Sequence, residues 1–200
     1  MKVIRKCVVF LIMMYLFFSL SSSFFKVQTR AIDKEALEEV VDVTYTVDSI
    51  PISNKRPGSK RPIDYIVVHN TGNPTSTARN ERDYLTNPTN TSSTSFHIVV
   101  DEKEIIEAIP VEEIAFHAGD VEGNRKGIGI ELCESGDFEK TKANAAKIIA
   151  YLMKHYHIPL SHVKTHHDFS GKQCPRKMLG NWEEFLNAVD NAYKELDNNY

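Results

Sequence analysis

Two hundred residues, 42% of them hydrophobic and 26% charged, make one domain of ordinary globular composition and exclude a wholly disordered chain. The formal net charge of −3 hides an asymmetry: residues 1–31 carry five basic side chains (Lys2, Arg5, Lys6, Lys26, Arg30) and no acid, leaving nineteen basic against 27 acidic groups beyond them. A body that acidic argues against nucleic acid as a partner, because neutralised phosphates supply most of that affinity.

In chain order, Met1–Lys6 is basic and Cys7–Phe25 is nineteen residues without a charge. That pattern reads residues 1–31 as a secretory signal peptide. The same run is long enough to stay as an N-terminal membrane anchor, which would then be the chain's membrane contact. Either way the expected location is exported, secreted or held at the outer face of the cytoplasmic membrane. Residues 32–60 read as an acidic stalk or linker, closed by the turn-rich Asn54–Pro62 (NKRPGSKRP). The catalytic or binding domain is expected over 61–196.

Within it, Ile63–His69 (IDYIVVH) reads as a buried strand and Thr77–Leu85 as a short helix. Phe96–Val100 and Ile105–Ile109 flank the polar DEKE and predict a hairpin. In Gly127–Cys133 (GIGIELC) the isoleucines and Leu132 alternate with Gly129 and Glu131, so Glu131 faces away from the apolar side. Helical stripes run through Ala145, Ile148, Ile149, Leu152 and Tyr156, and again through Trp182, Phe185, Leu186, Val189 and Tyr193. The fold class is therefore α/β: a single domain with a central mixed β-sheet flanked by amphipathic helices.

Four features can carry chemistry. His69 ends a buried strand just before the turn-like Asn70-Thr71-Gly72. Lys164–Pro175 (KTHHDFSGKQCP) gathers two histidines, an aspartate, a lysine and Cys174 in one stretch. Glu131 is a lone carboxylate on a glycine-flanked strand, and His97 and His117 lie in segments able to reach the same region. Two histidines and a cysteine form a legitimate zinc set with one position left for water, although the spacing fits neither a zinc finger nor HExxH. Three cysteines in total, Cys7, Cys133 and Cys174, cannot build a disulfide framework. Cys133 reads as a free thiol, and Glu112 and Glu113 as a solvated face.

Taken together, VVHNTG, SFHIVV, HAGD, GNRKGIGIELC and THHDFSGKQCP, in this order over residues 60–195, resemble the zinc-dependent N-acetylmuramoyl-L-alanine amidases of the peptidoglycan-recognition superfamily. The likeness is to the phage-endolysin and bacillus-autolysin branch. The resemblance implies one catalytic zinc ion at one face of the sheet, with His69, His166 and Cys174 as its ligands. It implies Glu131 as the residue that handles the attacking water's proton and Lys172 as the one that faces the scissile carbonyl. It implies His97, His117, Asn70, Thr71, Asn124 and Phe96 as substrate contacts, Phe96 standing where many members carry a tyrosine. The implied reaction is hydrolysis of the amide between N-acetylmuramic acid and L-alanine of the stem peptide, by a monomer acting on peptidoglycan. A muropeptide-recognition module without hydrolysis is the rival reading.

Overall fold

The computed structural model describes residues 31–198; the expected signal or anchor at 1–31 lies outside that range except for its last residue. The strands are β1 (Thr44–Val47), β2 (Tyr65–Asn70), β3 (Ile98–Val100), β4 (Glu104–Glu107), β5 (Gly127–Leu132) and β6 (Val163–Thr165). The helices are α1 (Lys34–Glu38), α2 (Ala78–Leu85), α3 (Val121–Lys126), α4 (Phe138–Tyr156), α5 (His166–Ser170) and α6 (Trp182–Asn198). One six-stranded sheet runs in the order β1-β4-β3-β5-β2-β6. β3, β5, β2 and β6 are mutually parallel, whereas β4 runs against β3 and carries β1 parallel to itself.

Alternation along the strands sorts the side chains onto two faces. Ile66, Val68, Ile98, Val100, Ile128, Ile130 and Leu132 enter one buried cluster with the α4 stripe Ala145, Ile148, Ile149, Leu152 and Tyr156. Phe185 and Val189 of α6 close this layer from outside, and Trp182, Leu186 and Tyr193 pack against it partly buried. On the other face a smaller cluster joins Ala78 and Leu85 of α2 to Phe96, Val99, Ile106, Ile109 and Cys133. The rest of that face, from β5 to β6, is left for Gly127, Gly129, Glu131, Val67 and His69.

Local signals explain where elements start and turn. Asp137 caps α4 by accepting from Glu139 N and Lys140 N. Thr77 and Asn80 form a capping box at α2. The expected hairpin is present as β3–β4, and Asp101 Oδ1 turns it by accepting from Lys103 N at 2.7 Å and Glu104 N at 2.8 Å.

The stalk expected over 32–60 is not a stalk. α1 buries Leu37, β1 joins the sheet edge with Tyr45 fully buried, and Ile50 sits in the second cluster. The basic stretch Asn54–Pro62 is not a spacer either. Arg56 grips Glu113 through two bonds of 2.8 and 2.9 Å, Lys60 meets Glu112 at 2.7 Å, and Arg61 bonds the carbonyls of Glu113 and Val111. Glu112 and Glu113, expected on a solvated face, are buried under these partners. Among the described residues no helix is long and apolar enough to cross a membrane.

Two outcomes follow. A chain starting at Pro51 lacks β1 and the Tyr45 contact, and its unfolding midpoint in urea should fall well below that of a chain starting at Ala31, since losing a buried aromatic costs about 3–5 kcal/mol. Glu107, buried beside Tyr45, whose hydroxyl donates to it, has its carboxyl pushed up by desolvation from 4.5 to about 7. The folded state therefore holds this proton more tightly than the unfolded one. The resulting stability is complete below pH 4.5 and is lost as pH rises through about 7. Urea titrations of Glu107→Gln across that window should show a flatter pH dependence than the parent, and greater stability at pH 8.

Candidate metal centre

Three parallel strands end together and deliver the site. In register, His69 of β2 lies opposite Glu131 of β5, and both belong to the face that is not packed against α4. Next to β2, strand β6 hands over to α5, whose first residue is His166. Thr165 and Asp168 cap this short helix reciprocally, so Asp168 holds the helix start rather than His166 itself. Gly171, at φ 74°, ends α5 in the left-handed region and turns the chain towards Lys172 and Cys174.

His69, His166 and Cys174, all buried, place their donor atoms within 4.8 Å of one another. His69 Nδ1 stands 3.0 Å from His166 Nδ1 and 3.8 Å from Cys174 Sγ. Tetrahedral zinc on two imidazoles and a thiolate separates its donors by about 3.3–3.6 Å, so the arrangement fits that ion. The electrostatics agree with a cation there. Burial, reinforced by neighbouring His117, holds His69 well below its ordinary pKa, and burial with the Lys172 charge lowers His166 to about 4. Both rings thus keep a lone pair free. Burial pushes the Cys174 thiol up to about 11, offset in part by the Asn70 N–H on its sulfur. A metal would bind the thiolate and release that proton.

Around the cluster opens a groove of about 670 Å³ lined by Asn70, Thr71, Glu131, Lys172, Phe96 and Asn124 among others. Glu131 is pushed up to about 8, first by desolvation and then by the Glu81 carboxylate. Its Oε2 is buried with no hydrogen-bond partner, as are Asn70 Nδ2 and Thr71 Oγ1. Orphaned polar atoms cost about 1–3 kcal/mol each, which marks them as built for something other than the fold.

His117 also lines the groove, with Nδ1 3.1 Å from His69 Nε2 and Nε2 3.0 Å from the Gly127 carbonyl. Asn124 lies at the rim, but its Oδ1 accepts from His117 N and Ala118 N, both at 2.8 Å, and so shapes that loop. His97, expected as a substrate contact, does not line the groove. It is fully buried behind His117, 5.5 Å between ring centres, where Nδ1 accepts from Gly129 N at 2.8 Å and Nε2 donates to Glu113 O at 2.9 Å.

Sequence reasoning missed Glu81 and Tyr84, which line the groove from α2. They stand three apart and share a face of that helix, the spacing that could have found them. It also missed Glu134, whose buried carboxylate accepts from Gly72 N at 3.2 Å and from the Arg176 guanidinium. With Lys177 N donating to Asn70 Oδ1 at 3.1 Å, this fastens the segment after His69 to the segment after Cys174. Glu134→Ala should lower unfolding stability by about 1–3 kcal/mol in urea titrations and weaken zinc binding measured against a chromophoric chelator.

The family model of the N-acetylmuramoyl-L-alanine amidases matches residues 59–177. Over 158 residues the chain is 46% identical to the N-acetylmuramoyl-L-alanine amidase CwlH of Bacillus subtilis (strain 168), covering 75% of this chain and 62% of that protein. It is 46% identical over 149 residues to XlyA of the same organism, covering 71% of this chain and 50% of XlyA. The solved catalytic domain of XlyA superposes with a TM-score of 0.71 at 43% identity, covering 74% of this chain and 99% of that domain. PlyL gives 0.68 at 37% identity, covering 74% of this chain and 97% of its own. The chain thus spans 50–62% of the length of these two full-length relatives and nearly all of a catalytic domain. The expected α/β fold stands, and the chain belongs to the N-acetylmuramoyl-L-alanine amidase family.

Proposed function

We propose that this domain is a zinc-dependent peptidoglycan hydrolase that cuts the amide between N-acetylmuramic acid and the L-alanine of the stem peptide. The observation that carries the reading is the unpartnered Glu131 Oε2 on the same strand-end face as His69, with His166 and Cys174 completing a donor set suited to zinc. A zinc ion held by these three residues supplies Lewis-acid chemistry, polarising a carbonyl and acidifying water at neutral pH.

The chain's own groups do the rest. Glu131 takes a proton from the attacking water and returns it to the departing alanine amine, a role its raised pKa suits. Lys172, whose charge acts on both histidines and on Glu131, stabilises the negative charge that grows on the carbonyl oxygen. Asn70 Nδ2 and Thr71 Oγ1 are free to bond the stem-peptide backbone, and Phe96 and Asn124 flank it in the groove. The basic and apolar segment 1–31 supports delivery of the domain across the membrane to the cell wall. Retention of the full donor set favours hydrolysis over mere muropeptide recognition.

The test uses residues 31–200, loaded with zinc and incubated with peptidoglycan of known stem chemistry, with products read by mass spectrometry. Intact stem peptides bearing a free L-alanine amine should be released, and chelation should abolish the release without unfolding the domain. Glu131→Gln should lower kcat/KM by about 10²–10⁴-fold at saturating zinc, and Lys172→Met by about 10²-fold or more. A folded, zinc-loaded domain that retains muropeptides and releases nothing would establish the recognition module instead.

A further inference from the structure

We propose that His117 is a positioning residue for the metal centre: it fixes His69 in the one tautomer that turns the Nδ1 lone pair towards His166 and Cys174. The inference rests on the reading of His69, His166 and Cys174 as a metal site. It assigns His117, expected from the sequence resemblance as a substrate contact, a different task.

A run of hydrogen bonds starts at a backbone carbonyl. Gly127 O is an acceptor only, and it lies 3.0 Å from His117 Nε2, so that nitrogen carries the hydrogen. In a neutral imidazole the other nitrogen, Nδ1, is then an acceptor. It faces His69 Nε2 at 3.1 Å, so His69 must be the donor there. Once His69 carries its hydrogen on Nε2, its Nδ1 is left with a lone pair, 3.0 Å from His166 Nδ1 and 3.8 Å from Cys174 Sγ. Each link leaves only one choice for the next.

The strand beneath is shaped to keep the ring in place. A Cβ at Gly129 would lie 2.5 Å from His117 Cγ, and one at Gly127 would lie 2.6 Å from both Gly123 O and Val67 Cγ2. Gly129 thus lets an imidazole lie against β5, while Gly127 makes room for the Gly123 carbonyl and the Val67 side chain. The loop before them is pinned by Asn124 Oδ1 on His117 N and Ala118 N. A ring merely lining a groove would need neither the bare strand nor both nitrogens engaged. Partners of this kind typically contribute about 10–100-fold to metal affinity.

The test measures metal binding rather than turnover. Zinc affinity is read by competition with a chromophoric chelator, and the cobalt form by its thiolate absorption, for the parent, His117→Phe and His117→Asn. Asn Oδ1 can stand where Nδ1 stood and accept from His69; Phe fills the space without accepting. We expect His117→Phe to bind zinc about 10–100-fold more weakly, with His117→Asn close to the parent. The zinc-free forms should unfold at similar urea concentrations. If His117→Phe does not fold, Gly129→Ala serves, because its methyl displaces the ring and should weaken zinc binding in the same way.

Ring-nitrogen NMR shifts of the zinc-loaded parent read the tautomers directly and should place the hydrogen on Nε2 of both His69 and His117. Equal zinc affinity in the parent and His117→Phe, an equal loss in His117→Asn, or a His117 protonated on Nδ1 each overturns the proposal. A parent that binds neither zinc nor cobalt overturns the metal-centre reading, and this inference with it.

Discussion

The register between β2 and β5 is the constraint on which the rest depends. His69 and Glu131 are opposite one another in adjacent parallel strands, so both side chains leave the sheet on the same face at the same level. Slipping that pairing by one residue would send one of them into the apolar cluster under α4. The register is held because Ile66, Val68, Ile128, Ile130 and Leu132 must all be buried on the opposite face. Packing on one side of the sheet thereby sets distances on the other. In this sense α4 and α6, which touch no part of the groove, contribute to its geometry.

The site is then completed by segments that are irregular for identifiable reasons. His166 is presented by the first turn of a five-residue helix, whose cap and left-handed glycine end leave little freedom for the loop that follows. Cys174 is tied back by the Asn70 N–H on its sulfur and by the bond from His167 N to its carbonyl at 3.0 Å. The Glu134 carboxylate joins the loops on either side. Three stretches far apart in the chain therefore close on one point through short, directional bonds rather than through apolar packing. That leaves the groove wall free to expose the polar atoms that chemistry requires.

Much of this could be read from the residues. The hairpin at DEKE, the α4 and α6 stripes, and the alternation that frees Glu131 from the core all follow from period and turn chemistry, and the structure has them. The grouping of His69, His166 and Cys174 came only through family resemblance, since their spacing fits no metal motif. Other features stayed hidden because their partners are distant in sequence. Arg56 and Lys60 look like a solvated basic run until Glu113 and Glu112, some fifty residues on, are folded over them. Tyr45 and Leu37 sit among acids, with too little periodicity to announce a strand and helix, yet both are fully buried. His97 and His117 are equivalent as letters; only the three-dimensional fold shows one fully buried behind the other, and the other bonded to His69.

The contact between Asp33 and Tyr151 has a bearing on how the domain is oriented. Asp33 N and O both meet the Tyr151 hydroxyl at 3.1 Å, so the described chain begins against α4, on the helix-covered side of the sheet. The groove opens on the other side. The described chain therefore enters the domain on the face opposite the groove mouth. An extended polymer could then lie along the groove without meeting the segment at which the described chain begins.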